Sequence, residues 1–211
     1  AWPPPVRHAP DCDLTSAVRR AGWVRQAPTV TRMTLNGVDL DLAAHDGFRI
    51  ALNNLDTDNT LTVVGESAYM NTGEGLHRFI DPVDNETYLY TQFEIADARR
   101  VYACFDQPDL KATFQFTVTA PAHWIVASNS ATPTPTGDGK AATYHFHVTP
   151  RMSTYITAIV AGPYHEVREV YSGKFGSYPL GLFCRASLAE FLDPDDLFPS
   201  STRAPWKMPD A

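Results

Sequence analysis

Between residues 88 and 121 the chain passes from an apolar run, through a charged turn, into a strictly alternating run. Residues 114–119 read Phe-Gln-Phe-Thr-Val-Thr, so the apolar side chains share one face, as they do in a half-buried strand. Similar short runs recur from Thr31 onward, separated by turn signals such as Asn36-Gly37. Many short strands and almost no helical period predict a mainly β fold, an antiparallel β-sandwich.

Composition narrows the possible partners and compartments. The 211 residues are 44% apolar and 19% charged, which is ordinary for a globular protein. A net charge of −7 argues against a nucleic-acid partner, and no run of about eighteen apolar residues is present to span a membrane. Three scattered cysteines, Cys12, Cys104 and Cys184, are typical of free thiols in a reducing compartment. They predict a cytoplasmic location.

The chain divides into four predicted parts. Residues 1–28 show no strand or helix period and are expected to form a disordered leader. Residues 29–172 form the predicted sandwich. Residues 173–198 are expected to be a linker and the start of a second domain, in which residues 187–190 carry a capping-box pattern for a helix. Three prolines in residues 199–211 forbid a continuing helix, so this part is expected to be a divergent tail.

One block of spaced motifs carries a family resemblance. The motifs are Thr91-Gln92-Phe93-Glu94, Asp97-Ala98-Arg99-Arg100, Cys104-Phe105-Asp106-Gln107-Pro108 and Lys111-Ala112-Thr113-Phe114. Together they resemble the signature of the N-terminal domain of aminopeptidase N-like zinc metallopeptidases, the gluzincin aminopeptidases. Further matches lie at residues 71–76, 128–130 and 150–155. The resemblance covers roughly residues 30–198 and fails at both ends, as expected for a truncated member of the family.

The resemblance implies a fold, an activity and a cofactor. The fold would be the family's saddle-like N-terminal sandwich without its first strands, followed by the first strand and helix of a catalytic domain. The intact enzyme would be a zinc-dependent aminopeptidase that releases N-terminal amino acids from peptides. None of the seven histidines begins an H-E-x-x-H motif, and the G-A-M-E-N segment is missing. This chain is therefore expected to hold no zinc, to supply no catalytic residue and to be inactive alone.

By the same resemblance, Gln92 and Glu94 are the substrate-binding residues. Residues two apart on an extended strand point the same way, so the two side chains can act together. A carboxylate near a peptide N-terminus binds the α-ammonium group through a charge-assisted hydrogen bond. The competing interpretation is that Glu94 pairs with Arg99 or Arg100 and only fixes the turn.

Other candidate sites have plain structural interpretations beside the functional ones. His145 and His147 share one strand face and, with His165, form a conceivable metal site, although a solvated face with Tyr144, Phe146 and Val148 on the core side is favoured. Cys104 is expected to be a buried apolar filler rather than a nucleophile. Asp106 is expected to accept the amide two residues on and shape a turn. The alternative function is a non-catalytic β-sandwich binding module, because sandwiches host many functions.

Overall fold

Antiparallel pairing builds the whole of the described sheet structure. The computed structural model describes the backbone of residues 22–24 and the residues from 29 to 198. The described strands are β1 (Gly22–Val24), β2 (Thr29–Leu35), β3 (Val38–Asp39), β4 (Arg49–Ala51), β5 (Leu61–Glu66), β6 (Gly75–Ile80), β7 (Thr87–Gln92), β8 (Thr117–Pro121), β9 (Ile125–Ser128), β10 (Thr136–Gly137), β11 (Ala141–His145), β12 (Ile159–Gly162), β13 (Tyr164–Gly173) and β14 (Gly176–Arg185).

Helical structure is limited to short pieces in the described residues. Single 3₁₀ turns lie at Leu42–Ala44, Ala98–Arg100 and Thr154–Ile156, a longer 3₁₀ helix at Ala186–Phe191, and one α-helical turn, α1, at Pro194–Leu197. None of these helices has the length and apolar character that a membrane crossing requires. The predicted tail at residues 199–211 and most of the predicted leader lie outside the described residues.

Two sheets face each other across the main core. One has the strand order β6-β7-β12-β9 and the other the order β10-β11-β8. Their inward side chains form one buried cluster that includes Leu76, Leu89, Phe93, Val118, Ala120, Val126, Ala142, Tyr144, Phe146 and Ala161. A second cluster around Met33, Ile50, Leu61 and Val63 lies on the β3-β2-β5 sheet and β4. The predicted mainly β, antiparallel sandwich is confirmed.

The hairpin predicted at Asn36-Gly37 is confirmed. Both residues have positive φ angles, 52° and 81°, and the turn joins β2 to β3. A type I′ turn requires this backbone, and the Asn-Gly pair adopts it at low cost.

The expected strand face at Tyr144, Phe146 and Val148 is correct for the first two residues and wrong for Val148, which is 55% exposed. The reason is that alternation ends just after β11. Thr149 turns inward instead, and its hydroxyl accepts the Phe114 amide at 3.0 Å while its own amide donates to the Phe114 carbonyl at 2.9 Å.

The apolar run at residues 155–161 is divided between two elements. Its first part belongs to the 3₁₀ turn Thr154–Ile156, and only its last residues enter β12, which is central between β7 and β9. Thr157 explains the division. Its hydroxyl lies 2.7 Å from the Thr154 carbonyl and 2.7 Å from the Tyr102 hydroxyl, so the turn is closed by buried hydrogen bonds.

The start of residues 173–198, which was expected to be a linker, forms the tip of a long hairpin. Strands β13 and β14 pair without interruption from Tyr164 opposite Arg185 to Gly173 opposite Gly176. Residues 173–185 therefore continue the preceding strand pair, and the boundary with a following domain stays a prediction. At the other end of the chain, β1 lies within the predicted leader and pairs with β4, so residues 22–24 have regular structure despite their weak sequence period.

The capping box expected at residues 187–190 does not form. Arg185 precedes the 3₁₀ helix, and no side chain caps its first turn. The Ser187 hydroxyl instead donates to Asp81 at 2.6 Å, and Arg185 Nη1 donates to the same carboxylate oxygen at 2.7 Å. A buried carboxylate is a stronger acceptor than the backbone of an exposed turn. These bonds fasten the end of the described chain to the β6–β7 turn.

Candidate functional site

Gln92 and Glu94 lie where strand β7 of the four-stranded sheet ends. Gln92 is the last residue of β7 and stands opposite Gly75 of β6. Gln92 and Glu94 are exposed, whereas Phe93 between them is 2% exposed. The Glu94 amide also donates weakly to Gln92 Oε1, at 3.5 Å. The two predicted substrate-binding residues are thus both exposed where β7 ends, with one buried residue between them.

Phe93 is the anchor that turns its neighbours outward. Its ring belongs to the main core and meets the Tyr102 ring edge-on, with centroids 6.0 Å apart. Phe93 follows the last residue of β7 and is buried, whereas Gln92 before it and Glu94, which begins the turn after it, are exposed. The Phe93 carbonyl also accepts the Asp97 amide at 3.2 Å, which folds the charged turn back against the strand end.

The charged turn is held by ion pairs that do not include Glu94. Arg100 Nε donates to Asp97 Oδ1 at 2.5 Å, and Arg100 Nη2 lies 3.3 Å from Glu74 Oε2. The hydrogen bond to Asp97 raises the pKa of Arg100 above its ordinary value. Within the described residues, Glu94 pairs with neither Arg99 nor Arg100. The competing interpretation of Glu94 as a turn-fixing partner of these arginines is therefore wrong.

Asp106 has a structural role, with a different partner from the expected one. Pro108, two residues on, has no amide hydrogen to donate. Asp106 Oδ2 instead accepts the Arg99 amide at 3.1 Å, and Oδ1 accepts the Thr154 hydroxyl at 2.7 Å. Asp106 thus joins the Ala98–Arg100 turn to the Thr154–Ile156 turn, and both of its carboxylate oxygens are used within the domain.

The histidines and Cys104 follow their structural interpretations. His145 and His147 are exposed, and His145 Nδ1 lies 3.3 Å from the Thr117 hydroxyl on the neighbouring strand. His165 lies on the separate β13–β14 hairpin, opposite Cys184. Cys104 is 1% exposed and belongs to the main core. In the described residues, no three His, Cys, Asp or Glu side chains are grouped closely enough to hold a metal ion. The described residues therefore offer no group of side chains that fits the zinc implied by the resemblance.

Two polar features were missed by sequence reasoning. One is the buried carboxylate of Asp81, whose partners Arg185 and Ser187 lie more than 100 residues further along the chain. The other is Arg99, whose Nε is buried without a hydrogen-bond partner. No local pattern marks the first. The Asp-Ala-Arg-Arg sequence contains the second, but does not reveal which arginine is paired.

Comparison with known proteins places this geometry in a family. Residues 32–156 match the family model described as the Peptidase M1 N-terminal domain. The chain is 58% identical over 174 residues to aminopeptidase N of Streptomyces lividans, which covers 82% of this chain and 20% of the relative. It is 34% identical over 138 residues to aminopeptidase N of Acetobacter pasteurianus, covering 63% of this chain and 37% of that protein.

A solved structure shows the same fold at low sequence identity. Legionella pneumophila aminopeptidase A, in complex with aspartic acid, superposes with a TM-score of 0.69 at 17% identity, over 81% of this chain and 20% of that one. The chain therefore spans about a fifth of the length of its Streptomyces and Legionella counterparts. Since the family match extends over more than half of the 211 residues, the chain belongs to the M1 peptidase family, through its N-terminal domain.

Proposed function

We propose that this chain contributes the N-terminal domain of a zinc-dependent aminopeptidase, and that Gln92 and Glu94 bind the N-terminus of the substrate peptide. The observation that carries the proposal is that both residues are exposed where β7 ends, with the Glu94 carboxylate unpaired among the described residues. A carboxylate that fixes a turn has a partner in its own domain. An exposed, unpaired carboxylate beside a residue anchored in the core is free to accept a hydrogen bond from a ligand.

The chemistry assigned to this chain is recognition only. The Glu94 carboxylate accepts a hydrogen bond from the substrate α-ammonium, and the Gln92 amide donates or accepts beside it. Zinc, which the described residues do not fit, would be supplied by the remainder of the enzyme. A hydrogen bond to a charged group contributes about 1.5–3 kcal/mol. Losing it corresponds to a fall of about 10- to 100-fold in kcat/KM.

A chimera tests the proposal. Residues 29–198 of this chain replace the matching segment of the Streptomyces enzyme, and hydrolysis of an amino-acid arylamide is followed. Glu94→Gln should lower kcat/KM by about 10- to 100-fold and leave the zinc content unchanged. The matched control is Glu169→Gln, on the exposed part of β13. It should leave kcat/KM unchanged.

The result that contradicts the proposal is an active chimera in which Glu94→Gln and Glu169→Gln behave alike. A folded, zinc-containing chimera without any activity would instead favour the non-catalytic binding module. The cytoplasmic location stays a prediction. Neither described cysteine, Cys104 or Cys184, is in a disulfide, and Cys12 lies outside the described residues.

A further inference from the structure

Arg99 and Arg100 are adjacent in the chain, but their surroundings differ. Arg100 is paired with two carboxylates, Asp97 and Glu74. Arg99 is half-buried, its Nε has no hydrogen-bond partner, and no described carboxylate pairs with its guanidinium. Its backbone amide does bond Asp106, so that carboxylate fixes the main chain of Arg99 and leaves the side chain unpaired.

A buried donor without a partner is rare in a folded protein. Most buried polar atoms are hydrogen-bonded, and each exception calls for an explanation. Arg99 Nε is also the one buried side-chain nitrogen or oxygen found without a partner in the described part of the chain. The guanidinium presents several donors in a planar fork that matches a carboxylate. A carboxylate is therefore the partner that its chemistry selects.

Arg99 lies on one of three turns that are joined by hydrogen bonds, and these turns expose polar side chains such as Gln107 and Asp109 as well as apolar ones. Asp106 connects the Arg99 turn to Thr154, and the Ser153 hydroxyl donates to the Pro108 carbonyl at 2.5 Å. Large apolar side chains on these turns are exposed: Ile95 by 67%, Leu110 by 46% and Ile156 by 47%. Exposed apolar side chains, together with a half-buried arginine whose Nε lacks a partner, are the kinds of group that protein interfaces use.

We propose that Arg99 binds a carboxylate on the part of the aminopeptidase polypeptide that lies beyond this domain, and so fixes the Gln92–Glu94 face against it. This rests on the proposed function. The relatives supply the occupant, because about four-fifths of the Streptomyces enzyme lies outside the matched segment. A substrate carboxylate is a poorer occupant: it would leave the buried Nε unpaired in every enzyme molecule without substrate, at a cost of about 1–3 kcal/mol.

The test compares Arg99→Met in two settings. Methionine keeps an apolar stem and removes the guanidinium. In the 211-residue chain alone, Arg99→Met should leave the denaturant midpoint unchanged or raise it, because it removes an unpaired buried donor. In the chimera it should shorten the half-life of thermal inactivation about tenfold, because it removes a charge-assisted bond to the remainder of the enzyme. Arg99→Lys, which keeps the charge, should recover part of the chimera's half-life.

The control is Arg151→Met, an exposed arginine with no bonding partner in the described structure. Arg151→Met should leave both the midpoint and the half-life unchanged. A clear fall in the denaturant midpoint of the isolated chain on Arg99→Met would overturn the inference, since Arg99 would then act inside this domain. No loss in the chimera would also overturn it. Failure of the proposed function is recognised separately, by Glu94→Gln leaving kcat/KM unchanged while the Arg99→Met loss of half-life persists.

Discussion

The two ends of β7 place polar groups in opposite situations. Near its first residues, Asp81 is completely buried, and its carboxylate accepts bonds from Arg185, Ser187 and the Val83 amide. Tyr88 extends the network, since its hydroxyl donates to Asp84 at 2.7 Å and accepts the Ala186 amide at 3.0 Å. These bonds lower the pKa of Asp81, with the Ser187 bond as the largest cause.

Near the last residue of the same strand, some polar groups have no partner in the described part of the chain. Gln92 and Glu94 are exposed, and the nearby Arg99 has a buried donor with no partner. The first end satisfies its polar groups within the domain, as a stabilising network must. At the second end Arg100, Asp97 and Asp106 are bonded within the domain, whereas the Glu94 carboxylate and Arg99 Nε have no partner among the described residues. The first end thus stabilises the domain, and the second end carries the groups that we propose meet a substrate and the remainder of the enzyme.

The largest expected effect comes from the residue that holds the open end in place. Phe93→Ala should lower the free energy of unfolding by about 3–5 kcal/mol, because it leaves a cavity beside Tyr102 in the main core. Denaturant unfolding of the chain measures it. Ile95→Ala, at a 67% exposed position two residues away, should cost under about 0.5 kcal/mol. Similar losses for both variants would show that Phe93 does not anchor this end.

Removing hydrogen bonds from the network near the start of β7, the closed end, should lower the free energy of unfolding by less, and the loss should depend on pH. Tyr88→Phe removes two hydrogen bonds and should cost about 1–3 kcal/mol at neutral pH. Burial, with the bond to Asp84, raises the pKa of Tyr88 to about 12. The unfolded tyrosine titrates near pH 10, so this contribution is complete below about pH 10 and is lost as the pH rises through about 12.

Unfolding of the wild type and Tyr88→Phe, compared from neutral to alkaline pH, measures this contribution. The gap between the two unfolding free energies should narrow above about pH 10. A gap that is constant with pH would show that the hydroxyl does not stabilise the domain through these bonds.

The exposure of Gln92 and Glu94 could be predicted from sequence, and the bonds of Asp81 could not. The polar residues on either side of Phe93 are exposed, as local strand geometry predicts, although β7 ends at Gln92 and Glu94 begins a turn. The Asn36-Gly37 hairpin is predictable for the same reason. Asp81 and Ser187 are 106 residues apart, and nothing near either residue specifies the other. The capping-box pattern even suggested a different role for Ser187.

The predictions for Val148 and for the segment that forms the β13–β14 hairpin were wrong for a related reason. Val148 continues the local alternation and was expected to be buried. The hydrogen bond between Thr149 and Phe114 buries Thr149 instead and leaves Val148 exposed. Residues 172–177 have the composition of a linker, yet the pairing of the strands on either side makes them a hairpin tip. In each case local preference was overridden by a partner that is distant in sequence.

The smallest expected effect on stability separates the two ends most directly. Glu94→Gln replaces an exposed, unpaired carboxylate by an amide of the same shape, so the free energy of unfolding should change by under about 0.5 kcal/mol.

Asp81→Asn is the same chemical change at the closed end and should lower the denaturant midpoint clearly, because Arg185 loses its buried counter-charge. Since the pKa of Asp81 is lowered, the stability it contributes is present above about pH 4 and is lost as the pH falls through its folded value, so the Asp81→Asn deficit should shrink in acid. Unfolding of both variants at neutral and acid pH measures this. If Glu94→Gln were as destabilising as Asp81→Asn, Glu94 would have a partner inside the domain, and the contrast between the ends of β7 would be wrong.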